Sequence, residues 1–236
     1  MALLERQENL THPHYKIFIY GENGSGKTQL AATLPGKLAF INYDANVEVL
    51  LKMPGVQERT TVFKGPTEWR DIQQLFKSSE LDEFDSVILD NSTGLSRVLL
   101  SGSLKIPMKG EGTRPSPEIP ILRDYGLAAE RLRYVVSDLV ERVTKQNVVC
   151  ISHVKLDKDE DSGGLVGGPS LPGQVPAFVL SKFLEVIFLK MEPDGIPKAY
   201  FKQHIYWPAT SRMLISREAV KNPNLTALYF RPQPQL

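Results

Sequence analysis

The sequence predicts an α/β fold with a mostly parallel central sheet flanked by helices, and three observations predict it. Apolar, β-rich runs alternate along the chain with segments of helical period. The runs are nearly continuous instead of alternating with polar residues, as strands covered on both faces must be. The first of them, YKIFIY (15–20), passes directly into a Gly-rich turn and then a helical stretch, TQLAATL.

The remaining elements follow in order. The Pro35–Gly36 break separates that helix from a second strand, KLAFINY (37–43). RTTVFK (59–64) is a third, and a helix is expected from Pro66–Thr67 through EWRDIQQLFK. SVILD (86–90) and NVVCISHV (147–154) have the composition of the most buried strands. Between them, segment 123–146 carries Leu127, Leu132, Val135, Val136, Leu139, Val140 and Val143 at i, i+3, i+4 spacing, which predicts a long amphipathic helix. KFLEVIFLKM (182–191) and KAYFKQHIY (198–206), joined by EPDGIP, predict a C-terminal β-hairpin. Segments 101–120 and 156–176 are rich in Gly and Pro and fit no element, so they are functional loops or insertions. With no internal repeat and no linker, residues 1–236 are expected to form one domain.

Composition narrows the function classes. A chain that is 42% hydrophobic and 23% charged builds an ordinary core and is not disordered or collagenous. Its formal net charge of +1 supplies no bulk attraction for nucleic acid, so any such binding must be local. The single cysteine, Cys150, excludes an intramolecular disulfide and a Cys-based zinc cluster; in the run NVVCIS it reads as a buried, inert thiol. The N-terminal segment has no basic region followed by an apolar one, and no apolar stretch nears 18 residues. A cytoplasmic protein with no membrane partner is expected.

The sharpest motif is GENGSGKT, in which Gly21, Gly26, Lys27 and Thr28 satisfy G-x-x-x-x-G-K-[ST], with Glu22, Asn23, Gly24 and Ser25 between them and Gln29 following. A strand in and a helix out is the context this motif needs. Backbone N–H groups of the loop converge on phosphates, Lys27 supplies a point charge to the β- and γ-phosphates, and the Thr28 hydroxyl joins a Mg²⁺ shell. Lys27 is expected to point into solvent before nucleotide arrives. The second metal anchor expected of such a site is Asp90, at the end of VILD and ahead of Asn91 and Ser92. The competing readings are structural: a plain Gly-rich turn, and a helix cap at Asp90.

At this point the chain resembles the RecA-type ATPase core, and in particular the short phage-borne, single-core P-loop ATPases that include the Sak-type single-strand annealing proteins. YGENGSGKT, AFINYDAN, VILDNSTGL and VVCISHVK carry the likeness, over roughly residues 15 to 155. The resemblance implies a RecA-like P-loop NTPase core that binds ATP and Mg²⁺. It implies a homo-oligomer with ATP at subunit interfaces, single-stranded DNA as a partner, and work in recombination, annealing or replication. Where the family has a water-activating glutamate after its second strand, this chain has Asp44, with Glu48 one turn on; the shorter Asp44 leaves either open as the working acid, and a helix N-cap at Asp44 is the bland alternative.

The resemblance also makes His153 a sensor of the γ-phosphate, although a lone strand-end histidine is often structural. It sets segments 101–120 and 156–176 where the family carries DNA-contacting loops. The first offers Lys105, Lys109 and Arg114, with Arg123 just beyond; the second begins DKDED, which repels a phosphate backbone. Among Lys202, Arg212 and Arg217, Arg212 is the candidate for a cation acting on a neighbouring subunit's phosphates. Trp69 and Trp207 are expected as core or interface anchors. Two other functions share the P-loop: a small-molecule or nucleotide kinase, and a non-hydrolysing nucleotide-gated adaptor.

Overall fold

The computed structural model describes residues 14–44, 47–106, 116, 118–158, 163–212 and 217–230. Ten strands occur among them: β1 (Lys16–Gly21), β2 (Leu38–Asn42), β3 (Thr60–Lys64), β4 (Ser86–Asp90), β5 (Asn147–Lys158), β6 (Leu165–Pro169), β7 (Glu185–Met191), β8 (Pro197–Tyr200), β9 (Thr210–Ser211) and β10 (Ala219–Lys221). Their order across the sheet is β10-β8-β7-β1-β5-β4-β2-β3, with β6 paired to β5 and β9 to β7. Pairing is parallel from β7 through β3 and antiparallel for β6, β8, β9 and β10. The chain is therefore an α/β protein with a mostly parallel sheet, as the near-continuous apolar runs require.

Side-chain alternation along the central strands builds two cores. Phe18, Tyr20, Val87, Leu89, Val148 and Cys150 face α3 (Ser92–Leu104), α4 (Leu122–Arg142) and α5 (Val175–Lys182). Ile17, Ile19, Ile88, Val149 and Ile151 face the other layer, where α1 (Lys27–Ala31) contributes Leu30 and Ala31. Helix α4 presents Leu132, Val135, Val136 and Leu139 to the first core, the stripe its sequence spacing predicts, and Asp124 in its first turn accepts from Ile121 N at 2.9 Å. Cys150 is fully buried, which pushes its thiol up to about 12. Trp207 stacks on Phe188 at 4.8 Å and Trp69 lies under the Arg131 guanidinium at 4.7 Å, so both serve as packing anchors.

Four expectations change. The helix expected from Pro66–Thr67 through Lys77 is only α2 (Trp69–Ile72), followed by a 3₁₀ turn at Leu75–Lys77; i→i+3 bonds replace the α ladder, while Ile72 and Phe76 still reach the core. Segment 101–120 begins inside α3, which forms despite Gly94 and Gly102 because Asn91 caps it and Leu95 and Leu99 are buried. The remainder of that segment, including Lys109 and Arg114, falls largely outside the described residues. Segment 156–176 is not structureless: β5 runs on to Lys158 and pairs with β6 from Val154↔Pro169 to Lys158↔Leu165. Gly167 makes that hairpin possible, since a Cβ there would lie 2.3 Å from the Trp207 ring. Asp159, Glu160 and Asp161 lie outside the described residues. Finally, the C-terminal hairpin is shorter than expected, because residues 182–184 end α5 and a His204↔Trp207 bridge closes a turn beyond β8.

Register positions the site. Gly21 of β1 lies opposite His153 of β5, and Asn42 of β2 opposite Asp90 of β4. The C-terminal ends of four parallel strands thus share one edge, with the chain leaving β1 toward β2 on one side and reaching β7 on the other. Open α/β sheets bind ligands in such a crevice.

Candidate functional site

The phosphate loop owes its course to its glycines. A Cβ at Gly21 would sit 2.1 Å from the Leu189 carbonyl oxygen of β7, and Gly24 and Gly26 have φ of 75° and 89°. Ser25 is fully buried, and its Oγ has no hydrogen-bond partner among the described residues. Lys27 does not point into solvent as expected. It is 7% exposed and folds back so that Nζ donates to the carbonyls of Gly21 at 2.9 Å and Glu22 at 2.7 Å. Burial lowers its ammonium to about 8, against the pull of Asp90, Asp44 and Glu22. A side chain held on two backbone carbonyls can exchange them for phosphate oxygens.

Asp90 ends β4 at 4% exposure, and its Oδ2 accepts from Thr28 Oγ1 at 2.7 Å, reaching across β5. Burial pushes its carboxyl up to about 6, with the Thr28 hydrogen bond opposing. Two hard oxygens this close match neighbouring positions in an octahedral Mg²⁺ shell, about 2.9 Å apart for bonds near 2.05 Å. The residues present therefore fit the metal. Among the described residues no cluster of three His, Cys, Asp or Glu side chains could hold a metal alone.

Asp44 follows β2 and is half-buried. Its Oδ2 accepts from Asn91 Nδ2 at 2.8 Å and lies 3.4 Å from His153 Nε2, while Asn91 Nδ2 lies 3.1 Å from that same ring nitrogen. Burial, then the Lys27 charge, lowers the pKa of His153, with Asp44 opposing. These groups line a cleft of about 400 Å³ together with Asn23, Gly24, Gly26, Lys27, Thr28, Gln29 and Asp90. A second cavity of about 470 Å³ adjoins it across Asp44 and His153, with Thr93, Arg97 and Ser170 on its far wall.

Of the residues singled out in the sequence, the fold brings together the loop 21–29, Asp44, Asp90 and His153. It does not bring in Glu48, which is exposed on a 3₁₀ turn (Val47–Lys52) that instead presents Val49 to the cleft. Arg212 is exposed beside the start of β7, at the opposite edge of the sheet, 3.5 Å from the Ser181 carbonyl. Lys202 pairs with Glu218, and Lys105 with Glu68, on the surface. Sequence reasoning passed over Asn91, Thr93 and Ser152. The Thr93 hydroxyl meets Ser152 Oγ and the His153 N–H, each at 3.1 Å, and ties α3 to β5. The polar run NST directly after VILD was the available signal.

A glycine-built loop at a strand–helix junction, a buried lysine and a strand-end carboxylate bonded to the loop threonine define a nucleotide-binding P-loop NTPase. The family described as AAA domain matches residues 14–215, and the chain belongs to that family. No curated protein matches it. Among the described residues no helix is long and apolar enough to cross a membrane.

Proposed function

We propose that the chain is a Mg²⁺-dependent ATPase of RecA-like type that works as a homo-oligomer in DNA recombination, single-strand annealing or replication. The observation that carries the hydrolytic part is the position of Asp44: a carboxylate facing Lys27 and Asp90 across one cleft, held by Asn91 and set beside His153. When bound, Mg²⁺ supplies charge neutralisation at the phosphates, and Thr28 and Asp90 are the residues that would hold it. Lys27 leaves the Gly21 and Glu22 carbonyls to contact the β- and γ-phosphates. Asp44 orients the attacking water and takes its proton, a role that contributes roughly 10²- to 10⁴-fold.

The DNA role rests on the resemblance and on one structural feature. β5 runs without a break from His153 into the β5–β6 hairpin, and Ser170 N donates to the His153 carbonyl at 2.7 Å, so the sensor and the hairpin base move as one unit. Assembly with ATP between subunits, Arg212 acting in trans, and the phage setting rest on the resemblance alone. A second reading is favoured by the cavity beyond Asp44, which has room for an acceptor larger than water: phosphoryl transfer to a hydroxyl-bearing substrate. Phosphate release from Mg²⁺-ATP with and without single-stranded DNA, beside a screen for labelled acceptors, tests both. DNA-stimulated release supports the ATPase; label on an acceptor with no free phosphate overturns it in favour of the kinase.

A further inference from the structure

We propose that Asn91 is the positioning residue of this site: its carboxamide fixes the Asp44 carboxylate and dictates which nitrogen of His153 carries the proton. The kinetic part of this inference rests on the hydrolytic reading above; the tautomer part does not.

Asn91 is 2% exposed, and its Oδ1 accepts from Gly94 N at 2.6 Å. That bond settles the orientation of the amide, because exchanging oxygen and nitrogen would set two donors against each other. Nδ2 therefore faces the cleft with two protons. One goes to Asp44 Oδ2 at 2.8 Å. The other reaches His153 Nε2, 3.1 Å away, and both bonds are bent, because the two acceptors lie about 70° apart at Nδ2 and its protons about 120° apart. An amide nitrogen has no lone pair to offer, so this contact is a hydrogen bond only if Nε2 is bare. The proton of the neutral ring is then on Nδ1, which is buried and has no partner among the described residues. The direct His153–Asp44 contact, at 3.4 Å, is the longest of the three. Asn91 thus competes for both members of a pair, Asp44 and His153, that lie 3.4 Å apart and would otherwise bond to each other. With it in place, Asp44 is held by a neutral donor and is not tied up by a histidine N–H.

Gly94 serves the same arrangement twice. Its N–H locks the Asn91 amide, and a Cβ there would come 2.5 Å from the Tyr43 carbonyl oxygen, so its bareness seats the residue before Asp44. The bland alternative is that Asn91 is only a helix cap. Serine separates the two, since its hydroxyl still caps a helix well while both donors to Asp44 and His153 are lost.

The test uses the full chain without nucleotide, labelled with ¹⁵N-histidine, at neutral pH. Long-range ¹H–¹⁵N correlation spectra report the tautomer, with His153 assigned through His153→Gln. The wild type is expected to hold the Nδ1–H form and Asn91→Ser the Nε2–H form, now donating to Asp44. An Nε2–H wild type, or no change in Asn91→Ser, overturns the inference. In turnover, Asn91→Ser should lower kcat about tenfold with KM and nucleotide affinity within about twofold, and should add nothing to Asp44→Asn. Additive losses, or a wild-type kcat in Asn91→Ser, contradict action through Asp44. A wild type that hydrolyses no ATP counts against the proposed function, and the tautomer measurement then decides the role of Asn91. If Asn91→Ser does not fold, Asn91→Thr keeps a capping hydroxyl, loses both donors and is expected to give the same tautomer change.

Discussion

The two edges of the parallel sheet are built from the same strands and treat buried polar groups in opposite ways. At the N-terminal edge, Asn147 accepts from Tyr15 N at 3.1 Å and donates to the Asp85 carbonyl and Ser86 Oγ, both at 3.3 Å. Glu185, fully buried, accepts from Ser211 Oγ at 2.8 Å and Tyr229 Oη at 3.0 Å. That edge is largely complete as folded; its exceptions include Asp138 Oδ2 in the last turn of α4, which lacks a partner among the described residues, and Lys16, whose ammonium burial lowers to about 8 while its Nζ donates to the Val143 carbonyl. At the C-terminal edge, Ser25 Oγ, Tyr43 Oη and His153 Nδ1 lack partners among the described residues, Lys27 rests on backbone carbonyls, and Asp90 is buried against its own charge. Unpaired buried groups and desolvated charges cost stability unless a ligand completes them. One edge therefore holds the fold together and the other is poised for charge that comes from outside.

Substitutions can break or sharpen that contrast. The largest effect is expected from Lys27→Ala, which should lower nucleotide turnover by about a hundredfold or more while leaving the apo melting temperature unchanged or higher, because it removes a desolvated cation. Tight ATP binding with normal turnover would sink the P-loop assignment. At the opposite edge, Glu185→Ala removes the acceptor that the half-buried Ser211 and Tyr229 hydroxyls share and should cost about 2 kcal/mol in denaturant unfolding, with turnover per folded molecule within about twofold of wild type. A large kcat loss there would mean that the two edges are coupled.

Asp90→Asn has the smallest expected effect of the three and the most informative sign. Its carboxyl is raised from 3.8 to about 6, so the folded state holds the proton more tightly than the unfolded one. The stability this contributes is present below pH 3.8 and lost as pH rises through 6. Asparagine cannot lose it. Asp90→Asn should thus unfold a few degrees higher than wild type at neutral pH, a gain on the order of 1 kcal/mol, and the gap should close toward pH 4. Nucleotide affinity should fall in the presence of Mg²⁺ and hold in its absence; equal losses would make Asp90 merely structural.

Most of the central fold was legible because its strands are buried on both faces and so read as uninterrupted apolar runs. The P-loop, Asp90, Asp44 and His153 were legible because strand ends carry them at fixed places in a motif order. What the sequence hid has three physical causes. Helix α3 is written in Gly and Ser, and its stability comes from the Asn91 cap and from burying Leu95 and Leu99, which local propensity does not register. The β5–β6 hairpin looked like a loop because Gly167 is there to admit the Trp207 ring, a contact 40 residues away in sequence. Glu48 looked like a turn-on partner of Asp44, but the chain winds as a 3₁₀ turn after β2 and carries it to the surface. The hydrogen bonds of Asn91 depend on side-chain direction, which residue spacing leaves open.

The central claim is that hydrolysis at the C-terminal edge runs through Asp44 held in the cleft, and the rate of phosphate release at saturating Mg²⁺-ATP tests it most directly when Asp44→Asn and Glu48→Gln are measured side by side. Asp44→Asn should lower kcat by about a hundredfold with little change in ATP affinity, while Glu48→Gln should turn over like the wild type. Loss of turnover in Glu48→Gln with Asp44→Asn unaffected would contradict the account.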